Sequence, residues 1–444
     1  MSGGPRLNIA VIGTGISGLS AAWLLSQRHD VTVYERACRP GGHSNTVQVK
    51  AAGGAIPVDT GFIVYNPKNY PNLTALFDHL GVTTKRSDMS FGVSLDGGKL
   101  EYAGTDLFGL FAQRRNLFRP RFLSMLRDLL RFYREAPAAA FTDPTVTLGD
   151  FLRAGNYGEP FRRDHLLPMA AAIWSAPPEA MLAYPAASFI RFHANHGLLQ
   201  VADRPEWRTV EGGSHSYVEK LIGTFADRVR LDCGAAAVRR TSAGVTVRDA
   251  QGRDAHFDHA VLATHADQAL ALLSDGDAME RDVLGAFRYS RNLAVLHTDD
   301  RFMPRRRAAW SSWNFIGDRD ASAGVCVTYW MNRLQSLPGP NLFVTLNPAQ
   351  PPRVGTLLHS EIYEHPVFDT RAMHAQSRLW SLQGRGNVWF CGAYFGAGFH
   401  EDGLQAGLAV AETLGAVRRP WTVTGESGRI QITRRTDAAV PEVA

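Results

Sequence analysis

Gly13-Thr14-Gly15-Ile16-Ser17-Gly18 places three glycines at the spacing G-x-G-x-x-G, directly after the apolar run Asn8 to Ile12 and ahead of a helical pattern over Leu19 to Ser26. A tight turn needs the first glycine, close approach of the backbone to a pyrophosphate needs the second, and helix packing against the strand needs the third. The helix start, with Ile16 and Ser17, then turns unpaired N–H groups and a positive dipole end toward the phosphates. Glu35 lies 17 residues after Gly18, at the end of a second strand pattern, and Arg36 follows it. A carboxylate there accepts hydrogen bonds from a ribose 2′-OH and disfavours a 2′-phosphate. The chemistry implied is dinucleotide binding.

The next residues, Arg39-Pro40-Gly41-Gly42-His43, resemble the RxGG segment that follows the acid in the flavin amine oxidase and phytoene desaturase superfamily. Further pieces of that superfamily follow in order. Asp59-Thr60-Gly61, with Phe62 and Ile63 after it, resembles the stretch beside the flavin; Val238 occupies the strand position whose backbone meets adenine; Val261-Leu262-Ala263-Thr264 resembles the return strand; Phe390-Cys391-Gly392 leads into the turn that closes over the flavin. The resemblance spans roughly residues 8 to 415 and implies FAD as the cofactor. Two departures stand out. Ala393 follows Gly392 where the superfamily usually has an acid for the ribityl chain, and no lysine follows Lys220, so the amine oxidases' lysine near flavin N5 has no counterpart. The helix expected to begin near Asp402-Gly403-Leu404 points N–H groups at flavin N1 and O2 in this reading, with the Leu404 backbone as the contact.

Longer words narrow the resemblance: GGHSNTV (41–47), VDTGFIVYNPKNYPN (58–72), FAQRRNLFRPRF (111–122), PMAAAIWS (168–175), ATHADQALALL (263–273) and FCGAYFGAGFHEDGL (390–404). Together they are similar to a bacterial FAD-dependent family associated with cyclopropane-fatty-acyl synthase-type methyltransferases, which includes the flavoprotein desaturase of methylated furan fatty acid synthesis. The resemblance implies dehydrogenation of a methylated, mono-unsaturated acyl chain by hydride transfer to flavin N5, with a functional link to a fatty-acyl methyltransferase. A double-bond isomerase, an amine oxidase and a non-catalytic flavin-binding partner remain as alternatives. His400 and Glu401, just ahead of the flavin-facing helix, are the first acid/base candidates, and His196 is the third.

The elements that must position these residues make an α/β fold. A Rossmann-type FAD-binding domain of glutathione reductase or amine oxidase type is expected in three pieces, at 1–104, 205–270 and 387–420. It is interleaved with a mainly helical insertion at 105–204 and a mixed-sheet substrate domain at 271–386, and a loose tail is expected at 421–444. Strands are predicted at Val31 to Tyr34, Val238 to Thr241, Gly244 to Arg248, His256 to Ala263, Leu293 to His297, Val325 to Trp330, Leu342 to Leu346 and Val388 to Cys391. Helices are predicted at Pro71 to Leu80, stopped by Gly81, and at Gly403 to Leu414.

Bulk properties agree with a globular chain: 444 residues, 45% hydrophobic and 20% charged. The four cysteines have no CxxC spacing, so reduced thiols, no zinc site and no metal are expected. The formal charge of +5 comes with neither a zinc spacing nor a basic tail, so nucleic acid is not an expected partner. Phe111 to Glu135 holds seven arginines against two acids, and its apolar residues repeat at helical spacing. That is a basic amphipathic helix of a kind that lies on anionic lipid; Arg301 and Arg305 to Arg307, close to Trp310 and Trp313, suggest a second interfacial patch. With no export signal or spanning helix recognised, the expected location is cytoplasmic, peripheral at the inner face of the cell membrane, with an acyl chain or phospholipid as substrate. Met169, Ile173, Trp174, Phe189 and Phe192 are candidate tunnel linings.

Overall fold

A computed structural model describes residues 5–139, 145–174, 178–200, 203–319 and 326–432. Asn8–Ile12 and Asp30–Tyr34 are rich in β-branched residues buried on both faces, and they pair in parallel with Ile9 opposite Val31. His259–Leu262 and Val388–Phe390 extend this sheet on one side and Val229–Arg230 on the other, in the order 388–390, 259–262, 8–12, 30–34, 229–230. Segments hundreds of residues apart thus form one parallel sheet. The helices Ile16–Ser26 and His400–Gly415 pack together so tightly that a β-carbon on Gly407 would lie 2.2 Å from the Ser17 carbonyl oxygen.

The strand expected over His256 to Ala263 is two strands. Asp254–Phe257 closes an antiparallel three-stranded sheet with Ala235–Thr241 and Gly244–Asp249, while His259–Leu262 joins the parallel sheet. Asp258 sits at the break, its carboxylate accepting from the Asn8 N–H. The helix starting at residue 403 in the sequence reading begins at His400, and Leu19 to Ser26 lengthens to Ile16–Ser26. Helix Pro71–Leu80 matches, with Gly81 left-handed at φ 63°.

A seven-stranded sheet forms the second domain, in the order 357–367, 288–297, 343–346, 326–330, 313–317, 91–95, 100–103. The hairpin Phe91–Leu95 and Leu100–Ala103 belongs here, paired in parallel with Trp313–Gly317, so the expected boundary after residue 104 comes too late. Leu357–Val367 carries no clean alternation and contains Pro366, consistent with an edge strand paired only to Arg288–His297. The two domains are tied at Asp59, which accepts hydrogen bonds from the Ser214 N–H and hydroxyl and from Thr46 on one side and from Gln335 Nε2 on the other.

Helix Pro120–Glu135 turns Phe122, Met125 and Phe132 into the protein. Arg121 is clamped by Glu159 and Asp164, and Arg131 lies 4.1 Å above the Tyr157 ring. Much of the helix's apolar face is therefore filled by protein, while Leu123 and Leu130 stay exposed. The tryptophan patch is corrected: Trp310 is buried beneath Arg307, and Trp313 turns inward against Tyr329. The expected loose tail packs as far as it is described, since Trp421 stacks on Trp23 and Arg429 pairs with buried Asp402; residues 433–444 lie outside the described residues. Among the described residues no helix is long and apolar enough to cross a membrane.

Candidate flavin site

A cavity of about 1190 Å³ runs between the carboxyl ends of the parallel strands, the seven-stranded sheet and the helical insertion. Gly13 turns at φ +103°, where a β-carbon would meet the Ala263 carbonyl oxygen at 2.9 Å. Gly18 is equally closed, its β-carbon position 2.0 Å from the Gly13 oxygen. Gly15 differs: nothing lies within 4 Å of its β-carbon position, and it lines the cavity with Ile16 and Ser17. The Gly41 N–H donates to the Thr14 carbonyl oxygen at 3.0 Å, and this brings Gly42 against the Gly15 backbone. Glu35 stands at the strand end, accepting from the Thr14 and Ala37 N–H groups at 3.0 and 2.9 Å and from the Thr14 hydroxyl. Arg36, His43, Thr60, Gly61, Phe62, Ile63, Ala263, Thr264, Gly392 and Ala393 complete this wall.

Four of the expected contacts are placed otherwise. The Val238 carbonyl accepts from the Ser274 N–H, and Gly234, Ala235 and Ala236 line the cavity in its stead. Asp402 is buried, accepting from the Phe399 N–H and from Arg429. Gly403 packs on Ile16 with its N–H bonded to the Phe399 carbonyl. Leu404 lies a full turn into the helix, where N–H groups bond within the helix. The N–H groups without an intrahelical acceptor are those of His400 and Glu401 at the helix start.

His400 lines the cavity, stacked at 3.9 Å on Phe62, with its Nε2 2.6 Å from the Tyr217 hydroxyl. Burial pushes its imidazole down to about 3, so it is neutral near pH 7. Glu401 faces away: its carboxylate accepts from the Asn72 and Leu73 N–H groups and from Asn72 Nδ2 and Gln405 Nε2, capping helix Pro71–Leu80. Fully committed there, it is no acid/base group of the cavity. His196 presents its ring to the cavity, its Nδ1 2.8 Å from the Phe192 carbonyl oxygen, but its Nε2 is covered and has no partner among the described residues. Burial lowers this ring to about 4.

Sequence reasoning missed part of the cluster. His265 and His365 lie within 6.5 and 5.4 Å of the His43 ring, and the tilted ring of Tyr363 lies beside it at 4.9 Å with its hydroxyl 2.7 Å from Thr60 Oγ1. Burial and then the neighbouring rings of His365 and His265 hold His43 well below the usual histidine range, and burial brings His365 to about 4. Tyr394 also lines the cavity, and its buried hydroxyl has no partner among the described residues. The only local sign was the adjacency of His265 to Thr264; the other partners sit on the edge strand and in the final turn.

The seven-stranded sheet and the insertion supply a mostly apolar wall: Phe91, Met169, Ile173, Phe192, Trp313 and Leu346. Of the expected linings, Phe189 is instead stacked on His193 in the insertion's core, and the Trp174 side chain lies outside the described residues. The carboxylates along the cavity are Glu35, Asp267, Glu361 and Glu364. Cys391 and Cys326 are buried thiols pushed up to about 12 and 11, unreactive as nucleophiles.

These features fit a dinucleotide with an attached ring system. The open cradle at Gly15 takes a pyrophosphate, Glu35 takes a ribose, the free N–H groups of His400 and Glu401 meet an electron-rich ring edge, and the orphaned Tyr394 hydroxyl is available to a polyol chain. A family model described as flavin containing amine oxidoreductase matches residues 16–306. Among solved structures, the chain is similar to a cyclohexylamine oxidase from Brevibacterium oxydans IH-35A (19% identity, TM-score 0.66, covering 92% of this chain and 100% of that one). It is also similar to a CLA-producing fatty acid isomerase from P. acnes (16%, 0.65, 92% and 98%) and to putrescine oxidase bound to putrescine (15%, 0.64, 93% and 99%). At these identities the likeness is one of fold. Among curated proteins, no sequence matches.

Proposed function

From the chain's membership of the flavin-containing amine oxidoreductase family, which makes it an FAD-dependent oxidoreductase, we propose that it desaturates a methyl-branched, mono-unsaturated fatty acyl chain, carried by a phospholipid. The observation that carries this reading is the apolar wall of the cavity, built from Phe91, Met169, Ile173, Phe192, Trp313 and Leu346. Such a wall accepts an alkyl chain and excludes water from the reacting carbon. Three of the cavity's four carboxylates are already engaged: Glu35 is held by Thr14, Glu361 lies beside Arg39, and Glu364 beside His265 and Arg291, while Asp267 accepts from the Gln268 N–H.

Bound FAD supplies a two-electron acceptor that takes a hydride. An allylic C–H is too weak an acid for a protein base, so hydride loss precedes proton loss, and the methyl branch stabilises the allylic cation between them. His400 takes the proton. Its low basicity is sufficient, because a carbocation is a very strong carbon acid, and in the neutral tautomer that donates from Nε2 to the Tyr217 hydroxyl the Nδ1 lone pair is available at physiological pH. Phe62 and Tyr217 hold its ring in place. The balance is one hydride and one proton lost from the chain and one diene formed, with two electrons passed on to oxygen or a quinone-type acceptor. The words in the sequence that resemble the methyltransferase-associated family supply the methyl branch in this proposal, and an acyl-chain methyltransferase is the enzyme that makes the substrate.

A second reading, double-bond isomerisation, is favoured by the likeness to the fatty acid isomerase; there the hydride returns to the same chain. Anaerobic mixing of the holoenzyme with phospholipid bearing a methylated mono-unsaturated chain separates the two. Desaturation bleaches the flavin stoichiometrically and yields diene, whereas isomerisation yields a shifted double bond without net bleaching. An unchanged lipid with a fully oxidised flavin overturns both, and peroxide release with amines in air in place of lipid turnover identifies an amine oxidase.

A further inference from the structure

Residues 107–118 stand out from the surface in an unusual way. Leu107, Phe108 and Phe118 are 74%, 75% and 85% exposed, and Leu117 is 45% exposed. They are not on a loose loop. The short helix Leu107–Leu110 is capped by Asp106, whose carboxylate accepts from the Gly109 N–H at 2.7 Å, Gln113 Nε2 donates to the Gly98 carbonyl at 2.8 Å, and Asn116 Nδ2 donates to the Glu101 carbonyl. The backbone is held while the large apolar side chains face water, an arrangement that soluble surfaces avoid unless something covers it.

The charges around these side chains come from three parts of the chain. Arg115 and Arg119 both donate to the Lys99 carbonyl, at 2.8 and 2.9 Å. Arg305 lies over the Gly97–Gly98 turn, and the segment Arg307–Ala309 packs against Leu107–Leu110. Burial and then the nearby Arg115, Arg319 and Arg306 depress the Arg119 guanidinium, a sign of crowded positive charge. Arg306 is matched by Glu101, and Arg319 by Asp96 and Asp164. Lys99, Arg114, Arg115, Arg119, Arg305 and Arg307 have no carboxylate at ion-pair distance among the described residues. The exposed Leu357, Leu358, Ile362 and Val367 differ in this respect, being interspersed with Glu361 and Glu364 as well as Arg291.

We propose that the 107–118 knob, ringed by Lys99, Arg114, Arg115, Arg119, Arg305 and Arg307, seats the protein on an anionic phospholipid bilayer, with Phe108 and Phe118 entering the headgroup boundary and the cations binding lipid phosphates. Aromatic and aliphatic side chains at the acyl boundary, with arginines at headgroup level, are the chemistry of interfacial binding. This surface is distinct from helix Pro120–Glu135, which turns Phe122, Met125 and Phe132 into the protein. The inference stands apart from the acyl-desaturation reading, because it concerns adhesion to the bilayer and not turnover.

The experiment is cosedimentation of the FAD-loaded protein with vesicles of phosphatidylcholine alone and of equal parts phosphatidylcholine and phosphatidylglycerol. The expected result is strong partition to the anionic vesicles, weak partition to the neutral ones, and loss of binding in high salt. Phe108→Ser with Phe118→Ser lowers partition by roughly tenfold or more, and Arg114→Gln or Arg115→Gln lowers it by about fivefold each, while flavin absorbance and thermal midpoint stay as in the unaltered protein. Equal partition to both vesicles, no partition at all, or undiminished partition of the double serine variant overturns the proposal. So does a dimer in sedimentation velocity that the serine variant dissolves while vesicle binding is absent.

Discussion

Each of the three motif glycines meets a different constraint, and substitution separates them. Gly15 has φ −62° and ψ 172°, extended backbone open to any residue, and its β-carbon direction is empty. Gly15→Val is therefore expected to leave the thermal midpoint of the flavin-free protein within a degree or two while weakening FAD binding by a hundredfold or more, on the order of 3 kcal/mol. Flavin absorbance retained after gel filtration reads this directly. Gly18→Ala puts a methyl group on the Gly13 oxygen and is expected to impair folding itself; equal flavin retention by both variants would show that Gly15 does not border the phosphates. The cradle was legible because its rules are local. The roles of His400 and Glu401 were not. They are adjacent in sequence, yet the rotation of about 100° per helical residue points one at Phe62 in the cavity and the other at Asn72 outside it.

At the scale of elements, Glu401 joins two helices: it lies on His400–Gly415 and satisfies the first free N–H groups of Pro71–Leu80. Glu401→Ala strips several charge-assisted hydrogen bonds from a site that is 0% exposed, and a loss of about 2–3 kcal/mol in stability is expected. Denaturant titration measures that loss, and the pH profile of turnover is expected to keep its shape; an altered profile with unchanged stability would return Glu401 to the chemistry. Burial raises this carboxyl, and its donors from Gln405, Asn72 and Leu73 oppose the rise, as befits a structural acid. The helix bounds at 71–80 were readable from Pro71 and Gly81, since a proline at the first turn and a glycine just past the last are local signals. Leu357–Val367 was not readable, because an edge strand with mixed exposure has no period of two to detect.

Across the whole molecule, the abundance of buried neutral histidine sets the response to acid. In the helical insertion, burial lowers His165 to about 4 and His193 to about 3. Both folded values lie below the ordinary 6.5, so the unfolded chain binds these protons first; their contribution to stability is intact above pH 6.5 and is lost as pH falls from 6.5 toward 4. Each ring removes up to roughly 1.4 kcal/mol per pH unit across that window. The thermal midpoint is thus expected to hold between pH 7 and 8 and to drop steeply between pH 6 and 4.5, a scan that calorimetry can make. A flat midpoint over that range would contradict neutral burial, and His193→Gln is expected to shallow the slope. By itself the sequence determined the dinucleotide cradle, the acid at the second strand's end and the interleaved α/β plan, because glycine spacing, β-branched runs and helix stops act through a few neighbouring residues. Only the tertiary structure decided which side chains share the cavity. His43, His265, Tyr363, His365 and His400 come from segments up to 357 residues apart in the chain, and their meeting depends on the packing of a parallel sheet against a seven-stranded one, a long-range outcome that no local pattern encodes.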